Sequence, residues 1–114
     1  MSYIIYHNPR CTKSRQGLAL LGENGIDPEI KEYLKEDISA KELKEVIKLL
    51  GIKAEELVRK TEADFKENYK GKELSEDDWI KAMVKFPKLI QRPIIVHGNK
   101  AVIGRPTEKI LELM

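Results

Sequence analysis

The sequence predicts an α/β fold in which a βαβ unit and a ββα unit are separated by a helical insert. Three observations carry this. The short apolar run Tyr3-Ile4-Ile5-Tyr6 is followed by a helical pattern and then a second extended segment. The middle of the chain, from about residue 39 to 86, shows only helical periodicity. Near the end, Ile94-Ile95-Val96 and Ala101-Val102-Ile103 are joined through His97-Gly98-Asn99-Lys100, which reads as a tight hairpin.

Each element has a local reason. The helical pattern Gln16 to Asn24 places Leu18, Leu21 and Ala19 on one face, and Gly25 stops it as a C-cap. Ile30, Tyr33 and Leu34 follow Pro28 as the second strand, with an imperfect alternation. Strand, helix and strand within about 30 residues form a βαβ unit with a right-handed crossover. In the insert, Ser39 to Glu42 reads as a capping box, and Leu43, Val46, Ile47 and Leu50 fall on one helical stripe ended by Gly51. A shorter helix covers Ala54 to Val58, and Thr61 to Phe65 adds a turn. The polar stretch Lys66 to Glu73 reads as a loop. Ser75 caps a helix whose apolar face is Trp79, Ile80, Met83, Val84 and Phe86, and Pro87 breaks it. Trp79 and Met83 read as core packing. Pro106 suits the first turn of a last helix carrying Ile110, Leu111 and Met114. The 114 residues are read as a single domain, 1–114, with the helical insert inside it.

Composition narrows the function. With 41% apolar and 35% charged residues, the chain reads as a globular protein. No apolar run approaches the roughly 18 residues of a spanning helix, so no membrane association is expected. The N-terminus enters a strand pattern directly, so no signal peptide is expected. A net charge of +2 is too small to argue for nucleic acid. One cysteine cannot close an internal disulfide, and a cytoplasmic location is expected. One Cys and two His provide no metal-ligand set. The glycines are single and read as helix ends and turns, not as a phosphate loop. No large exposed apolar patch is foreseen, so a monomer is expected.

The chemistry concentrates in Tyr6-His7-Asn8-Pro9-Arg10-Cys11-Thr12-Lys13-Ser14-Arg15, which holds the one thiol between a strand and a helix. Unpaired N–H groups and the positive end of the helix dipole favour a thiolate there. Arg10, Lys13 and Arg15 add positive charge, and His7 can donate a hydrogen bond or a charge. Each of these influences lowers the Cys11 pKa. A buried, inert thiol is the ordinary fate of a free cysteine, but the flanks here are polar and cationic. Sixteen of the 21 basic residues are Lys; the five arginines are Arg10, Arg15, Arg59, Arg92 and Arg105. Arg92 and Arg105 stand directly before prolines, and Arg59 closes a helical segment. Arginine forks at such junctions suit an oxyanion.

Taken together, His7 to Arg15, Leu57-Val58-Arg59-Lys60, Gln91-Arg92-Pro93-Ile94-Ile95-Val96 and Gly104-Arg105-Pro106 resemble the ArsC family of glutaredoxin-linked arsenate reductases. The likeness runs from Tyr3 to Leu113, and the cationic Thr12-Lys13 pair is similar to the family's chromosomal branch. The resemblance implies a thioredoxin-like fold, with a four-stranded mixed sheet and an inserted all-helical subdomain. It implies that Cys11 is the nucleophile and that Arg59, Arg92 and Arg105 bind the oxyanion. It also implies that His7 lowers the thiol pKa, that Ser14 supports the thiolate, and that Pro93 is a cis-proline beside the cysteine.

Reducing arsenate to arsenite takes two electrons, which a lone thiol cannot supply by closing a disulfide with itself. A second thiol must come from outside, and the resemblance implies glutathione as co-substrate followed by glutaredoxin, with no bound cofactor. Two alternatives stand beside this reading. Spx-type regulators, which bind RNA polymerase, share the fold, but their redox switch generally uses a Cys-x-x-Cys pair and Ser14 holds the second position here. A general monothiol redox protein with no oxyanion activity is the other.

Overall fold

Strand β1 (Tyr3–Tyr6) lies inside a four-stranded mixed sheet of order β2-β1-β3-β4. It runs parallel to β2 (Glu29–Lys31) and antiparallel to β3 (Ile94–His97), which pairs antiparallel with β4 (Lys100–Ile103). Ile5 stands opposite both Ile30 and Ile95, so β-branched side chains line up across three strands. The structure is a computed structural model describing residues 2–114. It divides into two compact units, Met1–Glu36 with Arg92–Met114, and Asp37–Gln91.

In the sheet unit, helix α1 (Thr12–Glu23) follows Cys11, which is its N-cap residue with extended φ/ψ. Arg15 N donates to Cys11 O, so the helix starts four residues before the expected Gln16. Its buried face is Ser14, Gly17 and Leu21, while Ala19 points to solvent. Apolar periodicity overlooks this face because two of its members are not large apolar residues: Ser14 is buried with its hydroxyl hydrogen-bonded, and Gly17 is there for its size.

Gly17 is also not at a helix end. A Cβ built there would sit 3.0 Å from Pro93 Cγ and 3.2 Å from Ile110 Cδ1. Gly104 meets the same two side chains at 2.9 and 3.3 Å. Both glycines therefore serve close packing around Pro93, in a conformation that any residue could adopt. The adjoining core is Ile5, Leu21, Ile95, Ile110 and Leu113.

Two further expectations in this unit change, while the hairpin forms as expected. Strand β2 ends at Lys31, and Glu32 O then accepts from Lys35 N and Glu36 N, so Tyr33 and Leu34 lie in a turn. Tyr33 is buried there and Leu34 is exposed, an in-out pair that mimics strand alternation. The last helix, Thr107–Leu113, is a 3₁₀ helix, and Pro106 is its N-cap with ψ of 164°, one residue before the first turn. The hairpin turns on Gly98-Asn99, with Gly98 at φ 62° as a type II′ turn requires.

In the helical unit, α2 (Ala40–Leu50) is capped by Ser39, whose Oγ accepts from Glu42 N, and ends at Gly51 with φ 70°. A 3₁₀ turn, Ala54–Leu57, precedes Arg59. Helix α3 (Ala63–Asn68) runs into the stretch expected as a loop, because Tyr69 N and Lys70 N continue the ladder to Phe65 O. Helix α4 (Glu76–Lys85) carries a reciprocal Ser75–Asp78 capping box and buries Trp79, Ile80, Ala82 and Met83. Val58 and Ile90 form an isolated antiparallel bridge, which Arg59 N extends by donating to Leu89 O at 2.6 Å.

Candidate oxyanion and thiolate site

The loop between β1 and α1 is held by its own polar atoms. Asn8 O accepts from Cys11 N at 3.0 Å, and Asn8 Oδ1 accepts from Arg10 N at 3.0 Å. Asn8 N donates to Ser14 Oγ at 3.0 Å, and the same Oγ lies 2.7 Å from His7 Nδ1. Arg15 closes the outside, donating through Nη1 to Pro9 O and through Nη2 to Thr12 Oγ1. This local ring fixes where Cys11 points. Asn8, buried at the centre of it, was missed as a site residue, although an Asn-Pro step is a turn initiator.

Cys11 is half-buried, and burial pushes its pKa up. The opposing interactions prevail and hold it below the usual thiol value: the backbone N–H of Ser14, a hydrogen bond and the charge of Arg92, and the backbone N–H of Lys13. The net direction is the one expected from the helix start and the cationic surroundings; burial, which the sequence does not display, acts against it. Ser14 meets the sulfur through its backbone, while its hydroxyl serves Asn8 and His7.

His7 is also placed differently from a charge donor. Its pKa is lowered, by burial first and then by the Arg15 charge, with Glu32 acting in the opposite sense. The lowered pKa favours the uncharged ring, which reaches the loop through the hydrogen bond it shares with Ser14 Oγ.

Two arginines of the sheet unit converge on the sulfur. Arg105 Nη2 lies 3.6 Å from Cys11 Sγ, and Arg105 Nε donates to Arg92 O at 2.6 Å. The Arg92–Pro93 peptide is cis, as is Arg105–Pro106. Thus one residue, Arg92, offers its guanidinium to the thiol and its carbonyl to the second arginine. Arg59 belongs to the helical unit, where its Nη1 is paired with Glu62 Oε1 at 2.9 Å. Among the described residues no group of three or more His, Cys, Asp or Glu is arranged to hold a metal, and no helix is long and apolar enough to cross a membrane.

A thiolate beside two guanidiniums can attack an electrophilic centre whose surrounding oxygens carry negative charge. The sequence profile of the ArsC family matches residues 6–113. The chain belongs to the ArsC family. It is 44% identical over 116 residues to an arsenate reductase of Haemophilus influenzae, with both chains covered completely. It is 50% identical to the Escherichia coli protein YfgD, covering 96% of this chain and 94% of that one. The solved arsenate reductase from Vibrio cholerae superposes with a TM-score of 0.95 at 44% identity, covering 100% of this chain and 98% of that one. The ArsC-family fold is thioredoxin-like, and its mixed four-stranded sheet is the one described above.

Proposed function

We propose that the protein reduces arsenate to arsenite, with Cys11 as nucleophile and glutathione and glutaredoxin as external thiols. The single observation that carries this is the position of Arg105 Nη2, 3.6 Å from the sulfur of a thiol whose pKa is lowered. The similarity to named arsenate reductases across the whole length supports the choice of substrate.

In this scheme the Cys11 thiolate attacks arsenic and displaces one oxygen as water, giving a Cys–S–As(V) adduct. Arg92 and Arg105, together with Arg59, stabilise the oxyanion as charge redistributes. Glutathione then adds its sulfur to arsenic, displacing a second water. The glutaredoxin thiolate attacks the glutathione sulfur, and the electron pair of the sulfur–arsenic bond passes to arsenic. The two external sulfurs end as a mixed disulfide, arsenic has gained two electrons, and hydrolysis returns arsenite and the Cys11 thiolate. His7 and Ser14 keep the loop in place, and Arg15 braces it from outside. Pro93, the next residue after Arg92, packs against Gly17 and Gly104.

The test is arsenite formation by purified protein with glutathione, with and without glutaredoxin, and with thioredoxin in its place. Turnover requiring both glutathione and glutaredoxin supports the scheme. Full turnover with thioredoxin alone would refute the assigned donors. Glutathione-disulfide exchange with no arsenite at all would make the protein a general monothiol redox protein.

A further inference from the structure

We infer that Glu62 is a positioning residue that holds the Arg59 guanidinium in the orientation required to receive the oxyanion. The inference rests on the proposed role of Arg59 in anion binding and extends it to a residue with no assigned part.

The backbone of Arg59 is clamped from both sides. Its N–H donates to Leu89 O beside the Val58–Ile90 bridge, and its carbonyl accepts from Glu62 N at 3.2 Å. None of this constrains the long side chain, whose four torsions need a separate tether. The same turn, Arg59 to Glu62, folds the Glu62 carboxylate back onto Nη1 at 2.9 Å.

Glu62 gives something up to do so. It is the N-cap residue of α3, yet its side chain makes no capping hydrogen bond. Ser39 and Ser75, at the same position of α2 and α4, both cap. The pair is also sheltered, with the side chains 20% and 26% exposed. The neighbouring Lys60–Glu55 pair is half exposed on both sides. Exposed pairs of that kind hold little, whereas a sheltered charge-assisted bond fixes geometry. With Nη1 taken, Nη2 and Nε remain for the oxygens of a ligand.

Positioning and simple competition for the guanidinium predict opposite results. If Glu62 positions Arg59, Glu62→Ala raises the arsenate KM by about threefold to tenfold, because the freed side chain must be ordered on binding. Glu62→Gln keeps an oxygen acceptor for Nη1 and restores KM towards wild type. An unchanged or lowered KM for Glu62→Ala would overturn the inference.

A second readout is independent of turnover. Nitrogen-15 NMR of the arginine side chains reports rotation about the Arg59 Nε–Cζ bond. The rotation is slow in wild type, faster in Glu62→Ala and intermediate in Glu62→Gln; equal rates in all three would overturn the inference. Arg59→Ala separates the two ideas. If it leaves the arsenate KM unchanged, the anion role of Arg59 fails and the inference falls with it. If it raises KM while Glu62→Ala does not, only the inference fails.

Discussion

Arg105 reaches the Cys11 sulfur at 3.6 Å while its Nε is fixed at 2.6 Å to the carbonyl of Arg92. The arginine therefore approaches the thiol from a set direction and keeps donors for a ligand. A lysine has the charge but neither the Nε bond nor the fork. Arg105→Lys is expected to lower arsenate kcat/KM by about 100-fold, on the scale of losing one oxyanion donor. Steady-state kinetics with glutathione and glutaredoxin in excess measure it, and wild-type values would show that charge alone suffices.

The lowered Cys11 pKa sets a pH dependence. The alkylation rate with iodoacetamide should follow the thiolate and level off at a pH below that of an ordinary thiol. Arg92→Ala removes both a hydrogen bond and a charge from the thiolate, so its profile should move to higher pH. For stability the sign is fixed: the native state binds fewer protons at this group than the unfolded chain does. The contribution is complete above the unfolded thiol pKa and is lost as pH falls through the native value. Cys11→Ser should flatten that part of the stability profile in urea titrations.

His7 should titrate below the ordinary histidine range, since burial and Arg15 outweigh Glu32. Its neutral form belongs to the native loop, and protonation opposes the buried state. Stability from this group is present above the unfolded histidine pKa and falls with acidification. Proton NMR of the His7 ring gives the midpoint directly. A midpoint above about 6.5, the unperturbed value, would contradict the placement.

Packing around Pro93 gives a prediction with an internal control. Gly104→Ala brings a Cβ to 2.9 Å from the stiff ring of Pro93 and should cost about 1–3 kcal/mol. Gly17→Ala meets Pro93 at 3.0 Å but also removes a mid-helix glycine, which returns about 1 kcal/mol. Urea midpoints should fall further for Gly104→Ala than for Gly17→Ala. The reverse order would mean that Pro93 is not the constraint.

Much of this fold is legible in the chain because its patterns are strong and local. The β-branched runs at Tyr3 and Ile94, the Gly98-Asn99 turn and the Ser75 cap each state their own structure. What escapes notice depends on contacts far apart in sequence. Gly17 and Gly104 look like punctuation until Pro93 is placed between them. Tyr33 and Leu34 alternate like a strand, yet the Glu32 carbonyl is taken by a turn. At the site, residue types and the cationic flanks of Cys11 were readable. The division of labour was not. Only the folded chain has Ser14 serving the sulfur through its N–H and His7 through its hydroxyl, and Glu62 turned towards Arg59.

The proposed reaction depends most on the Cys11 sulfur as the atom that attacks arsenic. Arsenite formed by Cys11→Ser, with glutathione and glutaredoxin supplied, tests this most directly. The variant is predicted to bind the oxyanion and yield no arsenite above the protein-free rate. Turnover at the wild-type rate would contradict attack by this sulfur.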